Sequence, residues 1–173
     1  MKELLQAHKH IGISGTRSPA AALQQYANRA LLRLIETTKA TILTGCASGI
    51  DEMARELVPR SRIQVFKVAT GEFGTGPSAY ALRSIRVVET VAERKGLWVS
   101  FPGKACPAGL VPSALPSECF CGRGSGSWAA LALAIGKGLP ALVYLGAIPL
   151  PHDWPLAQIT DCTGWCVFQG QNR

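Results

Sequence analysis

The sequence predicts an α/β fold: a single doubly wound, Rossmann-like parallel sheet of about five strands, with a C-terminal run that adds an edge strand. Three observations predict it. Short apolar runs alternate with amphipathic helical patterns along the chain, the turns between them are brief, and glycine- and serine-rich turns recur where a strand gives way to a helix. Parallel neighbours need helical crossovers, so strict alternation selects a parallel sheet. In such a sheet ligands collect beyond the carboxyl ends of the strands, at the switch in strand order.

Taken in order, residues 1–9 read as a short polar tail and residues 10–14 as the first strand. The turn at residues 15–19 leads into a helix with Ser18 as N-cap and Pro19 as first helical residue, since proline lacks the N–H that would be orphaned there. Leu23, Tyr26, Ala27, Ala30, Leu31, Leu34 and Ile35 line one face of that helix. Residues 41–43 form a buried strand, and Ile50, Met53, Ala54, Leu57 and Val58 recur at helical spacing up to Pro59. A third strand covers residues 62–69, a glycine-rich loop residues 70–77, and a helix residues 78–95, with Ala81, Leu82, Ile85, Val88, Val91 and Ala92 buried. Residues 97–101 give the fourth strand. The proline-rich segment 102–117 is too long for a simple connection and is expected to lie over the ligand cleft. An apolar helix over 128–135, closed by Gly138 and Pro140, precedes the fifth strand at 141–145. The whole chain, 1–173, reads as one domain with a core at about 10–146. In the extension 147–173, residues 165–168 supply the edge strand.

With 173 residues, 47% hydrophobic and 17% charged, the chain can bury a substantial core without a staple. No apolar run approaches the about 18 residues of a membrane span, and residues 1–9 lack a signal-peptide core, so a cytoplasmic protein with no membrane partner is expected. Eighteen Lys and Arg against 11 Asp and Glu give a charge of +7, which favours a phosphate-bearing partner, although the arginines are scattered singly. The six cysteines include a C-x-C at Cys119 and Cys121 and a C-x-x-x-C at Cys162 and Cys166. Neither is a zinc-type C-x-x-C pair, so thiols and no metal are expected. His8, His10 and His152 form no cluster, and Ser14 and Ser125 have no identifiable base, so no catalytic residue is assigned.

Three turns carry the functional expectation: Ser14, Gly15, Thr16 and Arg17; then Gly45, Ser48, Gly49 and Asp51; then Gly124, Ser125, Gly126 and Ser127. Small residues leave backbone N–H groups uncovered, and the second and third turns open helices whose N-termini favour an anion. They are expected to converge on one phosphate. Arg17 is the side chain placed beside it, with Arg83 reaching in from the third helix, because a guanidinium can grip two oxygens at once. Asp51 is expected to cap its helix or hold a ribose hydroxyl. The helix over 128–135 is apolar on nearly every side, which fits either a homodimer face or a core helix covered by segment 102–117.

The run from Gly12 to Pro19 followed by the run from Thr44 to Asp51 resembles the paired signatures of the DNA-processing protein A (DprA/Smf) family. That family belongs to the SLOG group, which also holds the LOG phosphoribohydrolases and molybdenum-cofactor carriers. Gly124-Ser125-Gly126-Ser127-Trp128 is similar to the third glycine loop of the group. The resemblance covers about residues 11–145. It implies a nucleotide or nucleotide-derived, phosphate-bearing ligand, with single-stranded DNA in recombination as the alternative partner and a homodimer as the assembly. Two departures bear on chemistry. After Gly49-Ile50-Asp51 the family continues with an Ala-His pair, where this chain has Glu52-Met53-Ala54-Arg55. The LOG signature places a catalytic glutamate where this chain has Ala130, and Arg123 replaces its first glycine. A binding protein without catalytic machinery is therefore expected. The alternatives are a nucleotide hydrolase working through Asp51, Glu72 or Glu118, or a cofactor carrier.

Overall fold

The computed structural model describes residues 1–76 and 78–170. Its sheet has seven strands in the order β3-β2-β1-β4-β5-β7-β6. Strands β1 (His10–Gly15), β2 (Thr41–Gly45), β3 (Ile63–Phe66), β4 (Leu97–Phe101) and β5 (Ala141–Tyr144) run parallel. The chain winds outward from β1 to β3, then returns to the other side of β1 for β4 and β5. The connections leaving β1 and β4 therefore diverge, and this switch opens a crevice at the carboxyl ends of the strands.

Period-two alternation sorts the strand residues between two cores. Ile11, Ile13, Ile42, Val99, Phe101 and Leu142 pack on the side of α1 (Lys2–Gln6), α2 (Ala21–Thr37) and α3 (Ile50–Leu57). Leu43, Trp98, Ala141 and Val143 pack on the side of α4 (Ser78–Glu93) and α6 (Gly126–Gly136). Gly12 lies between Leu43 and Trp98 in the ladder, and a Cβ there would strike the Trp98 ring. The glycine makes room for the largest side chain in the centre of the sheet.

The predicted parallel sheet is present, and its details differ from the sequence reading in several places. Residues 2–6 are helical, with Leu5 buried, because packing supplies what so short a helix lacks in isolation. Helix α2 begins at Ala21 with Ala20 as its N-cap; Ser18 does not cap it, its own N–H turning back to Thr16 Oγ1 at 3.4 Å. Strand β3 is shorter than residues 62–69, since Val68–Thr70 closes into a 3-10 turn. Helix α4 is rotated from its predicted face: Leu82 is 49% exposed, whereas Arg83 is 5% exposed on the buried stripe of Ala79, Val87, Val88 and Val91. Strand β7 (Trp165–Phe168) is not the edge; it pairs antiparallel with β5 on one side and with β6 (Ala157–Gln158) on the other. Pro77, the last residue of the predicted glycine-rich loop, and residues 171–173 of the extension lie outside the described residues.

Every residue of α6 from Ser127 to Ile135 is buried. Ser113 donates its N–H to Ala132, and a Cβ on Gly136 would meet the backbone of Ser113 and Ala114. The short helix α5 (Pro116–Cys119) packs beside them. The apolar surround of α6 is thus consumed inside one chain by the segment after β4. The helix is not the dimer face that its composition allowed.

Candidate functional site

The crevice at the strand-order switch holds a cleft of about 720 Å³. Loop 1, after β1, contributes Ser14, Gly15, Thr16 and Arg17; loop 2, after β2, contributes Gly45 and Asp51; loop 3, before α6, contributes Gly124, Ser125, Gly126 and Ser127. Arg83 reaches the same wall from α4. Of the residues that the sequence nominated, only Ser48 and Gly49 do not line it. Those two hold the loops together instead. Ser48 Oγ donates to the Arg17 carbonyl at 3.2 Å, and Ile50 N–H donates to the Thr16 carbonyl at 3.2 Å. Gly49 has φ +71°, and a Cβ there would collide with the Thr16 carbonyl. Positive φ and close approach both demand glycine at this point.

The floor of loop 2 is an ion pair rather than an anion cradle. Arg83 Nη1 donates to Asp51 Oδ2 at 3.0 Å, with both side chains buried. A Cβ on Gly45 would land on Arg83 Nη1, so the bare Cα of Gly45 makes space for a guanidinium. Asp51 does not cap α3, whose N-cap is Gly49. Burial pushes the Asp51 carboxyl above its usual range, outweighing the pull of Arg83, of the Arg55 charge and of the Ala47 N–H. Arg55, four residues after Asp51, donates from Nη1 to the carbonyls of Gly45 at 2.8 Å and Ala47 at 2.9 Å. Sequence reasoning missed Arg55, though its i+4 spacing from Asp51 on one helix face was a readable signal.

The opposite rim is open. No heavy atom lies within 4 Å of where a Cβ on Gly124 or Gly126 would sit, and no side chain caps the N-terminus of α6. Lys104, from the segment after β4, donates from Nζ to the Gly124 carbonyl at 2.9 Å, and Trp128 Nε1 returns a bond to the Lys104 carbonyl at 2.8 Å. Arg123 Nη1 donates to the Ala108 carbonyl at 2.6 Å. Arg17 lies over the Tyr80 ring, 4.9 Å from its centroid, a cation–π contact that holds the guanidinium at the mouth. None of the three ion pairs among the described residues involves Arg17, Lys104 or Arg123. Lys104 belongs to no motif, and no sequence signal marked it. Its segment does line the cleft, through Gly103, Lys104 and Leu110, as its length led us to expect.

Chemically, the cleft is rich in donors and poor in bases. Among the described residues Asp51 is the one carboxylate that lines it; Glu72 and Glu118 do not, and Ala130 presents a methyl group. Glu118 instead accepts from Ser113 Oγ. Ser14 Oγ and Ser125 Oγ face only other hydroxyls, Ser100 at 3.4 Å and Ser127 at 3.3 Å. Among the described residues no group of three or more His, Cys, Asp and Glu could hold a metal ion, and no helix is long and apolar enough to cross a membrane.

The model of the family described as DNA recombination-mediator protein A matches residues 2–107. The chain belongs to that family. The matched stretch runs from α1 through β4 into the segment beyond it, and so contains loops 1 and 2, the Asp51–Arg83 pair and Lys104. Loop 3 and α6 lie after the match. A comparison with curated proteins gives no significant match. Family membership associates the chain with DNA processing and recombination.

Proposed function

We propose that this protein binds a nucleotide or nucleotide-derived ligand through a phosphate seated between loop 1 and loop 3, without a catalytic step of its own. The observation that carries this reading is the meeting, in one cleft, of cations that have no carboxylate partner among the described residues (Arg17, Lys104, Arg123) with the open glycines of an uncapped helix N-terminus. Uncovered N–H groups and helix polarity favour an anion at that point. The absence of an available base supports binding over hydrolysis. Asp51 is occupied by Arg83, and general acid–base chemistry needs a positioned carboxyl group with room to reach substrate.

Titration calorimetry with ribose 5-phosphate and nucleoside monophosphates at about 0.15 M salt, near physiological ionic strength, tests the proposal. Arg17→Ala should weaken binding from several-fold to about a hundredfold, as expected for a lost charge-assisted contact. Gly126→Val should abolish binding while the protein still folds, because the added side chain enters space that is open in the free protein. If both variants bind like the parent, the phosphate is not seated there. Release of free base from the monophosphates above a heat-killed control would refute the non-catalytic part.

Family membership favours a second reading, in which the seated phosphate belongs to single-stranded DNA. With a +7 charge, any polyanion binds at low salt, so only affinity retained near physiological salt is informative. Engagement of the cleft should leave micromolar or tighter binding that depends on Arg123 and Arg17, whereas diffuse attraction fades with salt and ignores single substitutions.

A further inference from the structure

On the face of the sheet that carries α2 and α3, strands β4, β5 and β7 receive no crossover helix of their own. Both crossovers beyond β3, through α4 and α6, run on the other face, and after β5 the chain makes β6 and β7 where a helix could have followed. Helix α1 and the flank of α2 lean over those strands and leave a groove of about 440 Å³. It shares no lining residue with the cleft at the strand ends. Its volume lies within the range of small-ligand sites. We propose that this groove is a second binding site, for an apolar molecule with one anionic head, of the fatty-acid class. The site stands or falls independently of the nucleotide reading.

Three features select that class. The first is shape. Tyr26, Ala30, Arg33 and Thr37 recur at helical spacing, so the groove follows one face of α2 for roughly 16 Å at about 1.5 Å per residue. At its Thr37 end α1 is tied down, with Gln6 Nε2 donating to the Thr37 carbonyl at 3.3 Å. A trough of that form takes an extended chain. The second feature is an apolar wall already in place. The Tyr26 hydroxyl accepts from Trp165 Nε1 at 2.8 Å, and the Tyr26 ring stacks on Tyr144 with centroids 3.8 Å apart. Tyr26 and Trp165, with Leu5, Ala30 and Leu34, give a hydrocarbon a surface that is ordered before it arrives, which lowers the cost of binding. The third feature is charge, which sets the head. Lys2, Arg29 and Arg33 line the groove and are exposed, whereas no Asp or Glu among the described residues lines it. None of the three cations belongs to an ion pair among those residues. Arg29 and Arg33 stand one turn apart on α2, where like charges repel. A carboxylate between them relieves that repulsion and can take two hydrogen bonds from a guanidinium. A cationic molecule with the same tail meets the repulsion instead.

Calorimetry of the whole chain at about 0.15 M salt tests the site, with octanoate, decanoate and dodecanoate as probes and dodecyltrimethylammonium as the cationic counterpart. Dodecanoate should bind one-to-one with a dissociation constant of about 100 µM or tighter, and each CH2 removed from the tail should weaken binding about two- to fourfold. The cation should not bind measurably, and excess ribose 5-phosphate should not displace dodecanoate. Arg29→Gln combined with Arg33→Gln should weaken dodecanoate about tenfold. Ala30→Trp puts an indole into the groove and should abolish binding while the circular dichroism stays that of the parent. If that variant does not fold, the double arginine variant decides, since it changes exposed positions alone. No binding of dodecanoate at about 1 mM, equal binding of the cation, or displacement by ribose 5-phosphate overturns the proposal. So does a double arginine variant, or a folded Ala30→Trp, that binds dodecanoate like the parent. Failure of every nucleotide to bind leaves this site standing.

Discussion

Gly45→Ala tests whether the centre of the site is a spatial problem solved by a missing side chain. Gly45 ends β2, and its carbonyl accepts from Arg55 at 2.8 Å. An added Cβ would take the place of Arg83 Nη1 and come within 2.7 Å of Asp51 Oδ2. Gly45 is not among the glycines with positive φ, so alanine meets no backbone penalty, and the cost comes through the displaced guanidinium. Breaking a buried pair by losing one partner costs about 3–5 kcal/mol. Arg83 is displaced rather than deleted, so we expect the low end, about 3 kcal/mol, or a melting temperature lower by about 6–12 °C for a chain of this size. Gly126→Ala is the control, since its Cβ meets nothing within 4 Å, and should stay within about 0.5 kcal/mol of the parent. On an Arg83→Ala background the methyl at position 45 has room, so its additional cost should drop below about 1 kcal/mol. Urea unfolding followed by circular dichroism measures the parent, the three single variants and the double variant. A Gly45→Ala variant as stable as the parent, or an equal loss in both Arg83 backgrounds, would refute the reasoning.

Three further outcomes are expected. The folded-state pKa of Asp51 is raised above the ordinary 3.8, so the folded protein holds that proton to higher pH than the unfolded chain does. Its contribution to stability is full below 3.8 and is lost as pH rises through the raised value; urea midpoints across that range should fall more steeply for the parent than for Asp51→Asn. Burial pushes the Cys106 thiol up to about 11, and Cys119 and Cys166 are also raised, while Cys121 is exposed. Iodoacetamide at pH 7.5 should therefore label Cys121 well before those three, as resolved by peptide mass spectrometry; comparable labelling of Cys106 would contradict its burial. Lys95 is the lone non-glycine with positive φ among the described residues, at 51°, in the turn that joins α4 to β4. Lys95→Gly should raise stability by about 0.5–1 kcal/mol in the same urea assay, and a loss would show that the strain is absent.

The parallel sheet and the meeting of the three turns at one edge of it were legible because both follow from the alternation of strand and helix patterns and from chain direction; the strand order was not. Period-two apolar runs with small residues after them put every turn on the carboxyl edge of one sheet. What was not legible depended on partners distant in sequence. Arg83 reads as a phosphate contact at the start of its helix, and its place on the buried stripe is not legible until Asp51, 32 positions earlier, is known to meet it, so the predicted face is rotated toward Leu82. Ser18 and Pro19 formed a sound start signal, but Thr16 Oγ1 takes the Ser18 N–H and the helix begins two residues after Pro19. Composition could not separate two uses of the same residue. Gly45 and Gly49 read as glycines opened for an anion, yet one yields space to a guanidinium and the other to the loop 1 backbone. Lys104 sits in a segment without periodicity, and only the fold brings it to Gly124.

The three turns therefore do different work, although the sequence writes them in similar letters. Loops 1 and 2 are locked to one another through Ser48, Gly49 and Ile50, and anchored below by Asp51, Arg83 and Arg55. Substitutions there act mainly on stability, with Arg17 the exception because its side chain leaves the lock for the mouth of the cleft. Loop 3 is tied instead to the segment after β4, by Lys104 to the Gly124 carbonyl and by Arg123 to the Ala108 carbonyl. Gly122 and Gly124 hold positive φ with nothing packed against them, and Gly126 faces open space. In the proposed function, a ligand seated there gains its contacts at a helix N-terminus that no side chain caps. The matched family region ends before loop 3, so scaffold and opening lie on different stretches of chain. On the proposed function, change within loop 3 should alter binding without disturbing the Asp51–Arg83 pair between α3 and α4.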